Sequence, residues 1–187
     1  MFSKTIRILK IVLFIFFTII FVLLGKVPES ILLIALTLLN IYNWIRYGSI
    51  NVSLRYMKKN DLKKAKKYLN ETIKIDWLSR TYKGYYYFIK AYVEIGEENL
   101  SEAVNCYEKA LDYGLRTEND EGIVYLQLAV LSGISGKLDI ATDFLKKAKK
   151  KKIKSQLLDQ IQRVEEVLEK QKDSKENLMI DYLSKIT

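Results

Sequence analysis

Residues 6–24 read IRILKIVLFIFFTIIFVLL, and only Arg7, Lys10 and Thr18 interrupt the hydrocarbon. Coiled as a helix rising about 1.5 Å per residue, this stretch is roughly 28 Å long, close to the ~30 Å hydrocarbon core of a bilayer. Gly25 and Pro28, the single proline, then mark a turn. A second apolar run, ILLIALTLLNIYNWIRY, covers residues 31–47 and ends on Trp44 and Tyr47, residue types that gather at membrane interfaces. The pattern predicts a membrane hairpin over residues 1–47, with spans at 6–24 and 31–47. A cleaved leader is the competing reading, because Lys4, Arg7 and Lys10 resemble its basic start. Against it, the apolar run is longer than such leaders carry, and LLGKVPES offers no small-x-small cleavage site.

Flanking charge predicts the orientation of the hairpin. Lys4, Arg7 and Lys10 precede the first span and Arg46, Arg55, Lys58 and Lys59 follow the second, whereas the connecting loop has Lys26 against Glu29. The positive-inside tendency places both ends in the cytoplasm of a multi-pass protein of the cell membrane. Asn40 and Asn43 lie within the second run, where amide side chains are expected to hydrogen-bond across a helix pair.

The remainder is charged and periodic. NDLKKAKKYLNETI (60–73), NLSEAVNCYEKAL (99–111) and GKLDIATDFLKKAK (136–149) align so that Leu62, Leu100 and Leu138 correspond. Ala65, Ala103 and Ala141 follow, then Leu69, Tyr107 and Leu145, then Thr72, Ala110 and Ala148. Offsets of three, four and three residues describe one face of a helix. Each phrase is preceded by another helical segment that closes on Asn60-Asp61, Gly96 or Gly136, so the unit is helix, turn, helix. A hairpin this small cannot bury its apolar face alone, so successive copies must pack together.

In its Tyr125, Leu128, Ala129, Gly136, Leu138, Ala141, Leu145 and Ala148, the third copy resembles the tetratricopeptide repeat. The second matches through Tyr85, Phe88, Ala91, Tyr92, Gly96, Ala103, Tyr107 and Ala110, and the first through Tyr56, Leu62, Ala65, Leu69 and Thr72. The repeat-ending proline is missing and the period is 38 residues instead of about 34. The expected fold is therefore all-α: a two-helix transmembrane hairpin, then a solenoid of about three helical hairpins (48–76, 82–114 and 120–150). Helix from the second span is expected to continue through Gly48 into the first repeat. Leu157, Leu158, Ile161, Val164 and Leu168 form the apolar stripe of a capping helix at 155–171, which closes the 48–172 repeat region before a tail at 173–187.

The resemblance implies a binding groove for a peptide or helix of a protein partner, lined by the first helix of each repeat. The positions facing it would be Asn51 and Lys58, then Lys83, Tyr86, Tyr87 and Lys90, then Ile123, Leu126, Gln127 and Val130.

Composition argues against other functions. With no His and one Cys, general acid–base catalysis, a multi-ligand zinc site and an internal disulfide lose their usual residues, and no glycine-rich phosphate loop is present. No cofactor, metal or enzymatic role is expected, and Cys106 is expected to be a small buried hydrophobe. Lys and Arg outnumber Asp and Glu by 31 to 22, which favours anionic partners. The excess is densest in KKAKKKKIK, which starts at Lys146 and ends at Lys154. Anionic lipid is one ligand it could meet; nucleic acid is disfavoured, as no aromatics interleave the lysines. The tail's Leu178, Met179, Ile180, Tyr182 and Leu183 suggest a segment that folds back on the third repeat. The expected function is that of a membrane-anchored adaptor; the alternative is a small membrane protein that self-assembles through its repeats.

Overall fold

A computed structural model describes residues 4–173 and 178–180, and these contain helices, turns and no strand. In chain order the α-helices are α1 (Lys4–Leu23), α2 (Val27–Tyr47), α3 (Ile50–Met57), α4 (Leu62–Asn70), α5 (Arg80–Gly96), α6 (Leu100–Tyr113), α7 (Glu118–Ile134), α8 (Leu138–Lys149) and α9 (Ser155–Asp173), with a 3-10 turn at Ile75–Trp77 between α4 and α5. Residue contacts divide the chain into two compact units, Met1–Ile89 and Lys90–Thr187, with the boundary inside α5.

In the first unit α1 packs along α2. The second helix begins at Val27, earlier than the apolar run suggests, because Pro28 fits the first turn, where its missing N–H has no intrahelical partner to lose. Val27–Tyr47 is long and apolar enough to cross a membrane, and the apolar part of α1, Ile8–Leu23, is shorter. Ser30 and Thr37 are buried seven residues apart on α2, and their hydroxyls donate to Val27 O and Leu33 O, each at 2.8 Å. Thr18 donates likewise to Phe14 O, so an apolar groove of about 280 Å³ lined by Ile15, Ile19, Ile34 and Leu38 with Thr18 and Thr37 holds no unmet hydroxyl. Asn40, expected to bond across the pair, instead donates from Nδ2 to Leu36 O of its own helix at 2.9 Å.

The expectation that helix runs on from α2 into the first repeat through Gly48 is corrected. Gly48 has φ +50, a left-handed value that an L side chain adopts only at a cost of about 1–2 kcal/mol. A Cβ there would also meet Leu78 Cδ2 and Thr72 Oγ1 at 3.3 Å. α2 therefore stops, and α3 starts in a new direction.

The 38-residue period is written directly in the backbone. Asn60, Glu98 and Gly136, each 38 residues after the last, take φ values of +57, +63 and +71. The residue that follows each donates to the carbonyl five back: Asp61 to Tyr56 at 3.0 Å, Asn99 to Glu94 at 2.9 Å and Lys137 to Ser132 at 2.9 Å. These bonds are the helix-ending Schellman pattern, which satisfies carbonyls that the helix terminus would otherwise leave open. The next helix then begins identically, with Ala65, Ala103 and Ala141 donating to Asp61, Asn99 and Lys137. All three alanines are fully buried. Glu98 is the one of the three turn residues with a long side chain, so Glu98→Gly is expected to stabilise the fold by about 0.5–1 kcal/mol, the relief of left-handed strain exceeding glycine's larger unfolded-state entropy. Equilibrium urea unfolding checks this; an unchanged or lowered midpoint would refute it.

The second unit buries Leu126, Ala129 and Val130 of α7 against Ala141, Leu145 and Ala148 of α8 and Leu157, Ile161, Val164 and Leu168 of α9. Two glycines let α9 approach α7. A Cβ on Gly122 would lie 2.6 Å from Ile153 Cγ2, and one on Gly133 would lie 2.9 Å from both Leu168 Cδ2 and Met179 Cγ. Met179, fully buried, is the described part of the tail that joins this core. Its N–H donates to Gln171 Oε1 at 3.2 Å, while Gln171 Nε2 donates to Gly133 O at 3.1 Å. Tyr182 and Leu183 lie outside the described residues.

Candidate functional site

On the first unit, α3 meets α5 through Asn51, whose Nδ2 donates to the Tyr82 hydroxyl at 2.9 Å. Asn51 is thereby committed to positioning the two helices and is half-buried. Lys58 is exposed and Lys83 half-buried. Tyr86 and Tyr87 are both half-buried, with rings edge to face at 5.5 Å, an arrangement that leaves part of each aromatic surface open to a ligand.

On the second unit, Lys90 is held within the protein. Its Nζ lies 2.7 Å from Glu102 Oε1 and 4.0 Å from Glu94 Oε1. Glu102 also accepts from Asn105 Nδ2 at 3.1 Å and from Cys106 Sγ at 3.5 Å. The Lys90 bond first, then those from Asn105 and Cys106, pull the Glu102 carboxyl down to about 2, and the Glu102 bond raises Lys90. Burial pushes the Cys106 thiol up to about 11, so it stays protonated and unreactive at neutral pH.

The linkage has a definite sign. Glu102 titrates lower in the folded protein than its ordinary 4.5, so its contribution is complete above about 4.5 and disappears as pH falls through about 2. With the Glu102 side chain 38% exposed, solvent screening limits the effect to about 1 kcal/mol or less. Glu102→Gln should therefore flatten the acid dependence of urea unfolding between neutral pH and about pH 3. An identical acid slope in the variant would show that the bond is not formed in solution.

The remaining expected groove positions divide between surface and core. Ile123 and Gln127 are half-buried on α7, whereas Leu126 and Val130 are 3% and 1% exposed and belong to the core. A helix whose buried face spans Val124, Leu128 and Leu131 as well as these two has little surface left for a partner.

The lysine run is partly structural, a feature hidden in the sequence. Lys147 pairs with Asp143 at 3.2 Å, Lys149 with Glu165 at 2.6 Å, and Lys151 with Glu121 at 2.5 Å. The backbone N–H groups of Lys152 and Lys154 donate to Glu118 Oε2 and Asn119 Oδ1. The α8–α9 connection is thus fastened to the first turn of α7. Acidic ENDE at 118–121 opposite basic KKIK at 151–154 was the available signal. Among the described residues no three Cys, Asp or Glu side chains are placed to share a metal ion.

The tetratricopeptide repeat family model matches residues 44–76 and 84–113. Both segments are similar to tetratricopeptide repeats. The third hairpin, α7–α8, lies outside the matched residues and shares their turn geometry at Gly136. No curated protein and no solved structure matches the chain. Tetratricopeptide repeats are protein-interaction modules that bind their ligands on extended surfaces of stacked helices. The first repeat starts at Trp44, inside the last turn of α2, so the apolar helix and the repeat share residues.

Proposed function

We propose that this protein is a membrane-anchored tetratricopeptide adaptor that holds a protein partner at the cytoplasmic face of the cell membrane. The observation that carries the reading is the sharing of residues 44–47 between an apolar helix of membrane-spanning length and the first repeat. Both helices of the hairpin turn apolar side chains outward: Leu9, Leu13 and Phe16 on α1, Leu32, Leu38 and Leu39 on α2, each between 49% and 66% exposed. Hydrocarbon on all sides of a helix pair suits lipid better than a protein core. The cationic residues after Tyr47, with few in the 24–26 turn, favour cytoplasmic repeats and a hairpin that crosses twice.

Partner contact is assigned to the solvent-reaching positions of the first unit, the exposed Lys58 and the half-buried Lys83, Tyr86 and Tyr87, whereas Leu126 and Val130 are core. The set suits a peptide with acidic and apolar residues. The test is crosslinked purification of the full chain from its native membranes beside a Lys58→Glu/Tyr86→Ala variant. A different polypeptide captured by the parent and lost from the variant supports the adaptor reading. Crosslinks only between copies, equal in both, would overturn it in favour of self-assembly through the hairpin.

A further inference from the structure

The connection from α4 to α5 leaves two large apolar side chains in solvent although both of its ends are pinned. Thr72 and Leu78 close on Gly48, each within 3.3 Å of where a Cβ there would stand. On either side, the Ser49 hydroxyl donates to Glu71 Oε2 at 2.9 Å, and the Ser79 N–H donates to Arg46 O at 3.1 Å. Tyr47 and Tyr82 add a ring contact at 4.9 Å. Residues 71–82 are therefore fastened to the end of α2, and what lies between Thr72 and Leu78 projects from that level. There Ile73 is 56% and Trp77 48% exposed, and Lys74 sets its ammonium 5.5 Å from the Trp77 ring.

A protein that buries Leu78, half-buries Thr72 and leaves Ile73 and Trp77 outside has placed an isoleucine and an indole beside the end of its apolar helix. Indole rings favour the headgroup boundary, where the ring is dry and the N–H wet, and a lysine beside it buries its stem while its charge reaches the phosphates. The charge agrees. From Arg46 to Trp77 the sequence holds nine Lys and Arg against three Asp and Glu, a net +6 out of +9 for the whole chain.

We propose that residues 73–77, through Ile73, Lys74 and Trp77, seat in the headgroup region of an anionic phospholipid leaflet and fix the first repeat against the membrane surface. The inference rests on the membrane reading of α1 and α2 and goes beyond it, because a hairpin can insert while this connection stays in water. It also moves lipid contact away from residues 146–154, where Lys147, Lys149 and Lys151 are engaged in ion pairs.

The experiment is depth-dependent quenching of tryptophan emission in the full chain, reconstituted in phosphatidylcholine nanodiscs with and without phosphatidylglycerol, the acyl chains brominated near the headgroup or near the terminus. Trp44→Phe leaves Trp77 as the single reporter; Trp44 Nε1 is buried without a hydrogen-bond partner, so phenylalanine forfeits no bond there. A second chain, Trp44→Phe/Trp77→Phe/Phe16→Trp, reports on the hairpin from a position that is 56% exposed. The expected result is loss of about half of the Trp77 emission to shallow bromines, less to deep ones, with stronger quenching when phosphatidylglycerol is present. If the indole introduced into the hairpin of the second chain is quenched by bromines while Trp77 of the first responds only to a water-soluble quencher, the proposal is overturned and the anchor stands. If neither is quenched by lipid, both are overturned.

Discussion

Replacing Ile161 with Ala is expected to destabilise the second unit by about 2–5 kcal/mol, the range for removing a fully buried aliphatic side chain whose cavity cannot close. Ile161 is fully buried, and the cluster it belongs to draws Leu126 and Ala129 from α7 and Leu145 and Ala148 from α8 as well as Val164 and Leu168 from its own helix. Collapse onto the missing methyls is resisted from both sides. Gly122 and Gly133 already bring α7 as near to the α9 side as side chains allow. Leu158→Ala is the paired control: it lies on the same helix but is 41% exposed, so it should change stability by no more than about 0.5 kcal/mol. Equilibrium urea unfolding gives both numbers, and hydrogen exchange should show the Ile161→Ala loss in α9 and α7 together. Equal costs for the two substitutions would mean that the buried stripe of α9 has been assigned to the wrong face.

The buried face of α9 was legible in the sequence for a local reason, although Leu158, expected on the same stripe, is 41% exposed. Leu157, Ile161, Val164 and Leu168 recur at helical spacing among charges, so one face alone can be buried. The repeat register was legible for a similar reason. Ala65, Ala103 and Ala141 must be small where helices cross, and the turns five residues before each must be left-handed, which Asn60 and Gly136 advertise and Glu98 does not. What stayed hidden depends on partners distant in the chain. Lys90 looks like a groove residue until Glu102 comes within 2.7 Å. The lysines at 149 and 151 look like part of one basic patch until Glu165 and Glu121 reach them. Leu126 and Val130 look available because α7 is apolar nearly all round, and periodicity cannot orient a helix with no polar face. Gly48 was seen as a point that helix could pass through, since nothing near it in sequence foretells Thr72 and Leu78 closing on it.

The second large effect separates a membrane anchor from an apolar helix pair that merely lacks a partner. Leu13 and Phe16 lie near the middle of α1 and are 49% and 56% exposed. In water, changing both to Asp would remove exposed hydrocarbon and leave the fold within about 0.5 kcal/mol of its starting stability. In a bilayer, each aspartate near a helix centre opposes insertion by about 2.5–3.5 kcal/mol on the translocon scale. Two of them should shift the partition of the hairpin by a factor of about 10³ or more, at 1.4 kcal/mol per tenfold. The measurement is the fraction of full-length chain retained by carbonate-washed membranes, with circular dichroism to confirm that the released variant remains helical. Retention of the double variant at the parental level would exclude α1 from the hydrocarbon and with it a hairpin that crosses twice. Release with helicity intact is the expected outcome. It would mean that hydrophobic burial in lipid retains the chain and that its helices persist without a bilayer, the buried Ser30 and Thr37 hydroxyls being satisfied within α2.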